Sequence, residues 1–400
     1  MQNSVLEIHP VTIEGGEVVY RGIFCAPCRN DASVTFRVPV NESEPINESG
    51  MVEAFTLVFL LPAMRVGLPF VVNGAIDANF RRNLEQLKGF WTNLVPEKFS
   101  MIETKFTDCE EPTPEVPKAA VSCFSGGVDS CYTAIQISGS DDGAIIPCPL
   151  EGMVMVHGLD IPFRQSEVFE SAFQRSEKIA SSLNLPLHRI STDVRNIQKQ
   201  FDLDWPTEYH IFPVASALYL FSHRYQLAVI PPGYSYDKLS LPIGSNPISD
   251  LFLGSGRMGF FHHGASAGRF DKVKAICGHQ AVSDNARVCF EASRLDRNCG
   301  KCLKCCSLQI ALQLNGIREP KCFSEPIDFQ YLENLALENH SVRGTFQEYA
   351  KISRERGEMQ LLSSLEICLE KNRHVEEYAQ QQKRKNRFNN KLKRFLSKIR

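Results

Sequence analysis

The apolar residues of the chain change period along its length, and that change predicts its elements. In the first hundred residues, stretches 18–25, 33–40 and 55–61 are rich in β-branched and aromatic side chains and separated by turn-forming residues, which predicts strands. The polar decapeptide 41–50 between two of them reads as a loop. Past Asn79 the period lengthens: Phe80, Leu84, Leu87 and Trp91 recur at helical spacing. Three prolines then fall within 109–118 among acidic residues. Proline removes a backbone donor and disfavours helix on its N-terminal side, so this segment reads as an interdomain linker.

Beyond it, short apolar runs at 119–124, 152–156, 187–190 and 227–230 alternate with helical patterns at 129–137, 166–183 and 209–225. Alternation of this kind predicts an α/β fold with a doubly wound parallel sheet, whose ligands gather beyond the carboxyl ends of the strands. From about Tyr331 onward the pattern is helical and increasingly charged. The expected organisation is an N-terminal β-rich α+β domain at 1–114, an α/β domain at 115–325, and a helical extension with a basic tail at 326–400.

Composition narrows the class. Across 400 residues, 43% hydrophobic and 22% charged side chains exclude a wholly disordered chain. The best apolar run, 55–64, is about ten residues and broken by Pro62, against the ~20 a membrane helix needs. The first residues carry neither the basic nor the apolar region of a secretory signal, so a soluble, cytoplasmic protein is expected. Of 44 Lys and Arg against 46 Asp and Glu, nine basic residues and no acidic ones lie in 383–400, so the rest carries 35 against 46. Only the tail has the charge of a nucleic-acid ligand, and it interleaves Leu392, Phe395, Leu396 and Ile399 at helical spacing. RNA, an anionic surface, an acidic partner, or docking of its own apolar stripe would each suit it. Fourteen cysteines in such a chain point to metal ligands, catalytic groups or buried apolar positions before disulfides.

The stretch Ser125-Gly126-Gly127-Val128-Asp129-Ser130 follows an apolar strand and opens a helix. Glycines let the backbone approach an oxyanion, and a helix start offers unpaired N–H groups and partial positive charge. The Ser125 and Ser130 hydroxyls add donors, and the Asp129 carboxylate suits a magnesium ion beside phosphates. No lysine follows the glycines, so this is not a Walker-type loop. Farther on, Cys299, Cys302 and Cys305 stand at three-residue steps, with Cys289 ten residues upstream. Four thiolates suit structural zinc, and an iron–sulfur cluster accepts the same set. Cys306 could stand in for Cys305, although spacing favours Cys305.

The first motif resembles the pyrophosphate loop of the N-type ATP pyrophosphatases (PP-loop enzymes). That resemblance implies an adenine nucleotide alpha hydrolase-like fold and binding of ATP with Mg2+. It also implies attack of a substrate oxygen on the α-phosphorus with loss of pyrophosphate. Together with Cys289 and the Cys-Gly-x-Cys-x-x-Cys run, residues 118–315 are similar to 7-cyano-7-deazaguanine synthase. This implies Zn2+ at the cysteines, a small-molecule carboxylate as substrate and transfer to nitrogen. The chain departs from that family where a Tyr-Pro-Asp-Cys-Arg segment is expected; here 231–237 and 244–250 read Pro-Pro-Gly-Tyr-Ser-Tyr-Asp and Gly-Ser-Asn-Pro-Ile-Ser-Asp. An RNA or protein acceptor for the activated group, and self-association, stay open on the sequence.

Other residues have both plain and chemical readings. His157 and Asp160 follow the second of the alternating strands, where either could touch nucleotide or activated carboxylate, or simply shape a turn. Lys272, with Arg269 on the same helical pattern, falls where the related enzymes place a phosphate-neutralising base. His262 and His263 could serve substrate or form an ordinary loop. Cys25 and Cys28 have redox-motif spacing without the expected strand-to-helix setting, which favours a structural role.

Overall fold

The computed structural model describes residues 2–27, 29–40, 48–111, 118–140, 144–291, 294–374, 377, 378 and 381. Among these, the strands are β1 (Ser4–Ile8), β2 (Thr12–Glu14), β3 (Glu17–Cys25), β4 (Ala32–Pro39), β5 (Phe70–Asp77), β6 (Thr104–Glu110), β7 (Ala120–Cys123), β8 (Leu150–His157), β9 (Leu187–Thr192), β10 (Leu227–Ile230) and β11 (Gly259–His262). The helices are α1 (Met51–Val66), α2 (Ala78–Leu94), α3 (Val128–Ser138), α4 (Ser166–Ser182), α5 (Arg195–Gln200), α6 (Ile211–Tyr219), α7 (Arg269–Ile276), α8 (Gln280–Asn285), α9 (Leu303–Leu314), α10 (Phe329–Leu332), α11 (His340–Glu355) and α12 (Met359–Lys371). None is long and apolar enough to cross a membrane.

All eleven strands join one mixed sheet, ordered β11-β10-β7-β8-β9-β4-β3-β1-β5-β6 with β2 on β3. The five strands β7 to β11 are parallel, and in sequence order among themselves they stand 3-2-1-4-5. The N-terminal strands join antiparallel through β4, where Phe36 faces Thr192 and Arg37 faces Ser191 of β9. Thr35 N–H reinforces this join by donating to Asp193 Oδ1 at 2.8 Å. The segment 109–118 therefore runs between strands of a single sheet, although 112–117 lie outside the described residues. By contacts the chain divides near residue 268 rather than 114. One unit is Met1–Gly268 with Asn285–Arg287 and Arg294–Asp296; the other is Arg269–Asp284, Val288–Ser293 and Arg297–Arg400.

The segment 55–61, expected as a strand, lies in the middle of helix α1, which is buried on every side from Ala54 to Met64. A short run apolar all round carries no period, so sequence cannot separate a core strand from a core helix. Tertiary contacts supply what the helix needs. Pro62 has no N–H to give the Val58 carbonyl. That carbonyl instead accepts the Tyr209 hydroxyl at 2.8 Å, and Ala54 O accepts Ser216 Oγ at 2.7 Å. Phe24 stacks on Phe59 at 5.4 Å and meets Phe201 edge-on at 5.7 Å, so the core is shared by the N-terminal and central strands. Helix α2 forms as expected, with the Asp77 carboxylate capping Phe80 N–H at 2.9 Å.

In the second unit, α11 packs on α12 and α9 on α7. Asn372, at the end of α12, accepts from Leu337 N–H at 3.0 Å and donates to Leu335 O at 2.9 Å, fixing the loop before α11. The basic tail 383–400 lies outside the described residues.

Two outcomes follow for stability. Gly158, just past β8, holds φ +99°, and a Cβ there would run into the Thr192 carbonyl at the end of β9. Gly158→Ala should cost at least ~3 kcal/mol, read by denaturant unfolding. Glu53 is buried in α1, and desolvation pushes its carboxyl above the ordinary value, against hydrogen bonds from the Glu53 and Asp77 backbone and the charge of Arg257. The folded state then holds its proton more tightly than the unfolded one, whose value is about 4.3. That contribution to stability is full below the unfolded value and is lost as pH rises through the folded one. Glu53→Gln should therefore gain stability relative to the parent chain at neutral pH and little at acid pH, measured as melting temperature against pH.

Candidate functional site

Strand β7 has β8 on one side and β10 on the other, so the chain reverses its winding at β7, the place beyond whose carboxyl end sheets of this kind take ligands. The turn 124–127 leaves β7 at this point and enters α3. Gly126 holds φ +72°, a backbone conformation that favours glycine, and a Cβ there would lie 2.7 Å from Ser176 Oγ. Gly127 caps the helix without a side-chain bond. Ser130 Oγ donates to Gly127 O at 3.1 Å and accepts from Ser125 N–H at 3.3 Å. Gly127 N–H reaches Ser125 Oγ, also at 3.3 Å. These last two bonds are long and weak.

The carbonyl face of the turn is tied down, since Gly126 O accepts Arg287 N–H at 2.9 Å. The amides of Val128 and Ser130, in the first turn of α3, have no intrahelical acceptor. Ser125, Gly127 and Asp129 remain partly open to solvent. Such a cradle of N–H and hydroxyl groups at a helix start can hold an anion.

At the end of β8, His157 is buried and its Nε2 donates to Pro162 O at 3.1 Å. Its ring stacks on Phe169 at 4.4 Å and Phe163 at 5.5 Å. Burial pulls its pKa below the ordinary value, against the opposing pull of the Pro162 carbonyl. This histidine braces the 157–163 turn. Asp160 is exposed, 4.0 Å from the buried Arg287 guanidinium, which also donates to Leu295 O at 3.1 Å. Arg287 thus links the Gly126 carbonyl to Asp160, a role that nothing in its spacing announces.

Across the same edge, Asp250 is fully buried and receives three donors: Ser245 Oγ at 2.7 Å, Asn246 N–H at 3.1 Å and His262 Nδ1 at 2.7 Å. Asn246 fixes this turn by accepting from Ile248 and Ser249 N–H at 3.1 and 3.0 Å. The other nitrogen of His262, Nε2, is buried with no hydrogen-bond partner among the described residues. Its neighbour His263 is committed differently, with Nδ1 3.1 Å from Thr133 Oγ1 and its ring stacked on Tyr132. Both sequence segments of the Asp250–His262 pair are visible as polar clusters, but only the fold pairs them.

In the second unit, the four expected sulfurs converge. Sγ atoms of Cys289, Cys299, Cys302 and Cys305 all lie within 4.8 Å of one another, and this four-cysteine cluster can bind a metal such as zinc. The Cys299–Cys305 and Cys289–Cys302 separations are both 3.8 Å. A tetrahedron with metal–sulfur bonds of ~2.3 Å has edges of about 3.8 Å. Asn298 brings the two halves together, accepting Val288 N–H at 2.9 Å while donating to Cys322 O at 3.1 Å. Cys299 Sγ accepts Cys302 N–H at 3.2 Å and Lys301 N–H at 3.4 Å. Cys302 caps α9 and Cys305 lies in its first turn, where the helix favours negative charge. Cys306 turns to Gly300 O and Lys301 O instead, which leaves Cys305 as the ligand.

Lys272 is buried on α7 of this second unit. In the first unit, burial and Asp31 push the Cys25 thiol up to about 11, against any thiolate role, and Cys28 lies outside the described residues.

About one zinc per chain is the outcome expected from elemental analysis, and Cys302→Ser should release it. Four-thiolate sites carry apparent folding energies of order ~10–16 kcal/mol in small domains. The variant should therefore show a separate, lower-temperature transition in calorimetry. Visible absorption from the purified chain would point to iron–sulfur instead. The chain matches no protein-family model, and no curated protein or solved structure resembles it significantly.

Proposed function

We propose that the chain is a PP-loop enzyme that adenylates a substrate carboxylate or amide-like oxygen at the expense of ATP and passes the activated group to a nitrogen nucleophile. The observation that carries this reading is the 125–130 turn: glycine-fixed, half-open and set at the winding reversal of a parallel sheet. In this reading the amides and hydroxyls of Ser125, Gly126, Gly127, Val128 and Ser130 hold the departing pyrophosphate, and the Asp129 carboxylate holds the accompanying Mg2+. The substrate oxygen attacks the α-phosphorus, and the bond to pyrophosphate breaks with its electron pair leaving on the pyrophosphate oxygen. His157 acts by position, keeping the turn after β8 in shape. Cys289, Cys299, Cys302 and Cys305 would hold zinc through sulfur alone, which suits a structural role.

The resemblance of the 125–130 turn and the Cys289–Cys305 run to motifs of 7-cyano-7-deazaguanine synthase makes 7-carboxy-7-deazaguanine the first carboxylate to try. A macromolecular acceptor is the second reading, favoured by the basic run at 383–400. Deleting that run should then abolish salt-sensitive RNA binding.

Incubation with ATP, Mg2+ and 7-carboxy-7-deazaguanine should yield AMP and pyrophosphate, and Asp129→Ala should slow this by ~10²–10³-fold. A variant as fast as the parent, or a parent that makes no AMP with any carboxylate, would sink the reading.

A further inference from the structure

We propose that Asp250 and His262 form a proton-accepting pair at the carboxyl edge of the sheet, in which His262 Nε2 takes the proton released when a nitrogen nucleophile attacks the activated substrate. The assignment rests on the adenylating reading above and names the residue that serves its second step.

The pair is built, not incidental. Asp250 is wholly buried and its side chain accepts from Ser245, Asn246 and His262 at 2.7–3.1 Å. A carboxylate held this way is an acceptor only, so Nδ1 of His262 must be the donor. The proton is thereby fixed on Nδ1, and Nε2 is left as a bare acceptor. The His262 side chain is 4% exposed, and Nε2 meets no hydrogen-bond partner among the described residues. A buried acceptor left unpaired is costly, and a fold that keeps one marks the place of a polar ligand.

Its position suits the proposed chemistry. His262 ends β11 and pairs with Ile230, the end of β10, while Val229 pairs with Ser122 of β7. His262 therefore stands level with Cys123, two strand spacings or about 10 Å across the edge from where the phosphate turn begins. A small acyl group joined to a nucleotide on that turn spans this gap. Nearby groups do not compete for the proton. Cys123 stays a thiol, pushed up to about 12 by burial with the charge of Asp250 adding to it. His210 is drawn below its ordinary value by burial and has Nδ1 3.2 Å from Trp205 O.

The step balances. The nitrogen lone pair forms the C–N bond, and the bond from the acyl carbon to the adenylate oxygen breaks with its electron pair leaving on AMP. One proton of the attacking nitrogen passes to Nε2, giving an imidazolium facing Asp250. His262 is the catalytic residue and Asp250 positions it.

Nitrogen-15 imidazole spectra of the full chain, with His262→Asn as the assignment control, should show His262 protonated on Nδ1 and bare on Nε2. A proton on Nε2, in the other tautomer or the imidazolium form, overturns the assignment. His262→Asn keeps an N–H donor to Asp250 while removing Nε2. It should lower the ratio of ammonia transfer to ATP–pyrophosphate exchange by ~10²–10⁴-fold, with 7-carboxy-7-deazaguanine as the carboxylate. Asp250→Asn should lower the same ratio. Transfer to hydroxylamine, whose attacking nitrogen also sheds a proton, should fall in both variants. An unchanged ratio, or loss of exchange in both His262→Asn and His262→Gln, overturns the pair and leaves adenylation standing. Absence of exchange in the parent chain overturns adenylation and this assignment together.

Discussion

The left-handed backbone at Gly126 is the constraint on which the candidate site depends. It turns the chain out of β7 so that α3 begins directly beyond the sheet, and Ser176 closes the space a side chain would need. The Arg287 amide, far along the chain, grips the Gly126 carbonyl at 2.9 Å. The same Arg287 reaches toward Asp160 with its guanidinium, so one residue spans the two turns that leave β7 and β8.

The N-terminal strands support that edge from the other side. Their junction with the parallel strands is short, two residue pairs between β4 and β9, yet it includes Thr192. Thr192 is also the residue whose carbonyl closes on Gly158 and leaves no space for a side chain there. Helix α1 offers two carbonyls to side-chain donors on and before α6, that of Val58 freed by Pro62. What composition suggested as an accessory domain is thus structurally continuous with the strands that carry the site.

Histidines at this edge show how the same side chain takes different work from its surroundings. His157 gives its Nε2 to a turn carbonyl and stacks on phenylalanines. His263 leans on α3 through Thr133 and Tyr132. His262 pairs with a buried carboxylate, and among the described residues the far side of its ring meets no hydrogen-bond partner. Burial is common to His157 and His262; the partner of each ring nitrogen decides what chemistry remains.

Sequence by itself determined whatever depends on neighbours a few residues apart. The glycine-rich turn between strand and helix, the alternation from β7 to β10, the amphipathic α2 and the close-spaced thiols were legible because local spacing already orients those groups. Tertiary structure decided what depends on distant partners. The run 55–61 became a helix because Tyr209 and Ser216 satisfy its carbonyls in a core that accepts it on every side. Cys305 was separated from Cys306 by which way the first turn of α9 points each sulfur. Asp250 found His262 only because β11 lies beside β10. No residue pattern records such pairings, since hydrogen-bond reach is set by the folded path and not by separation along the chain.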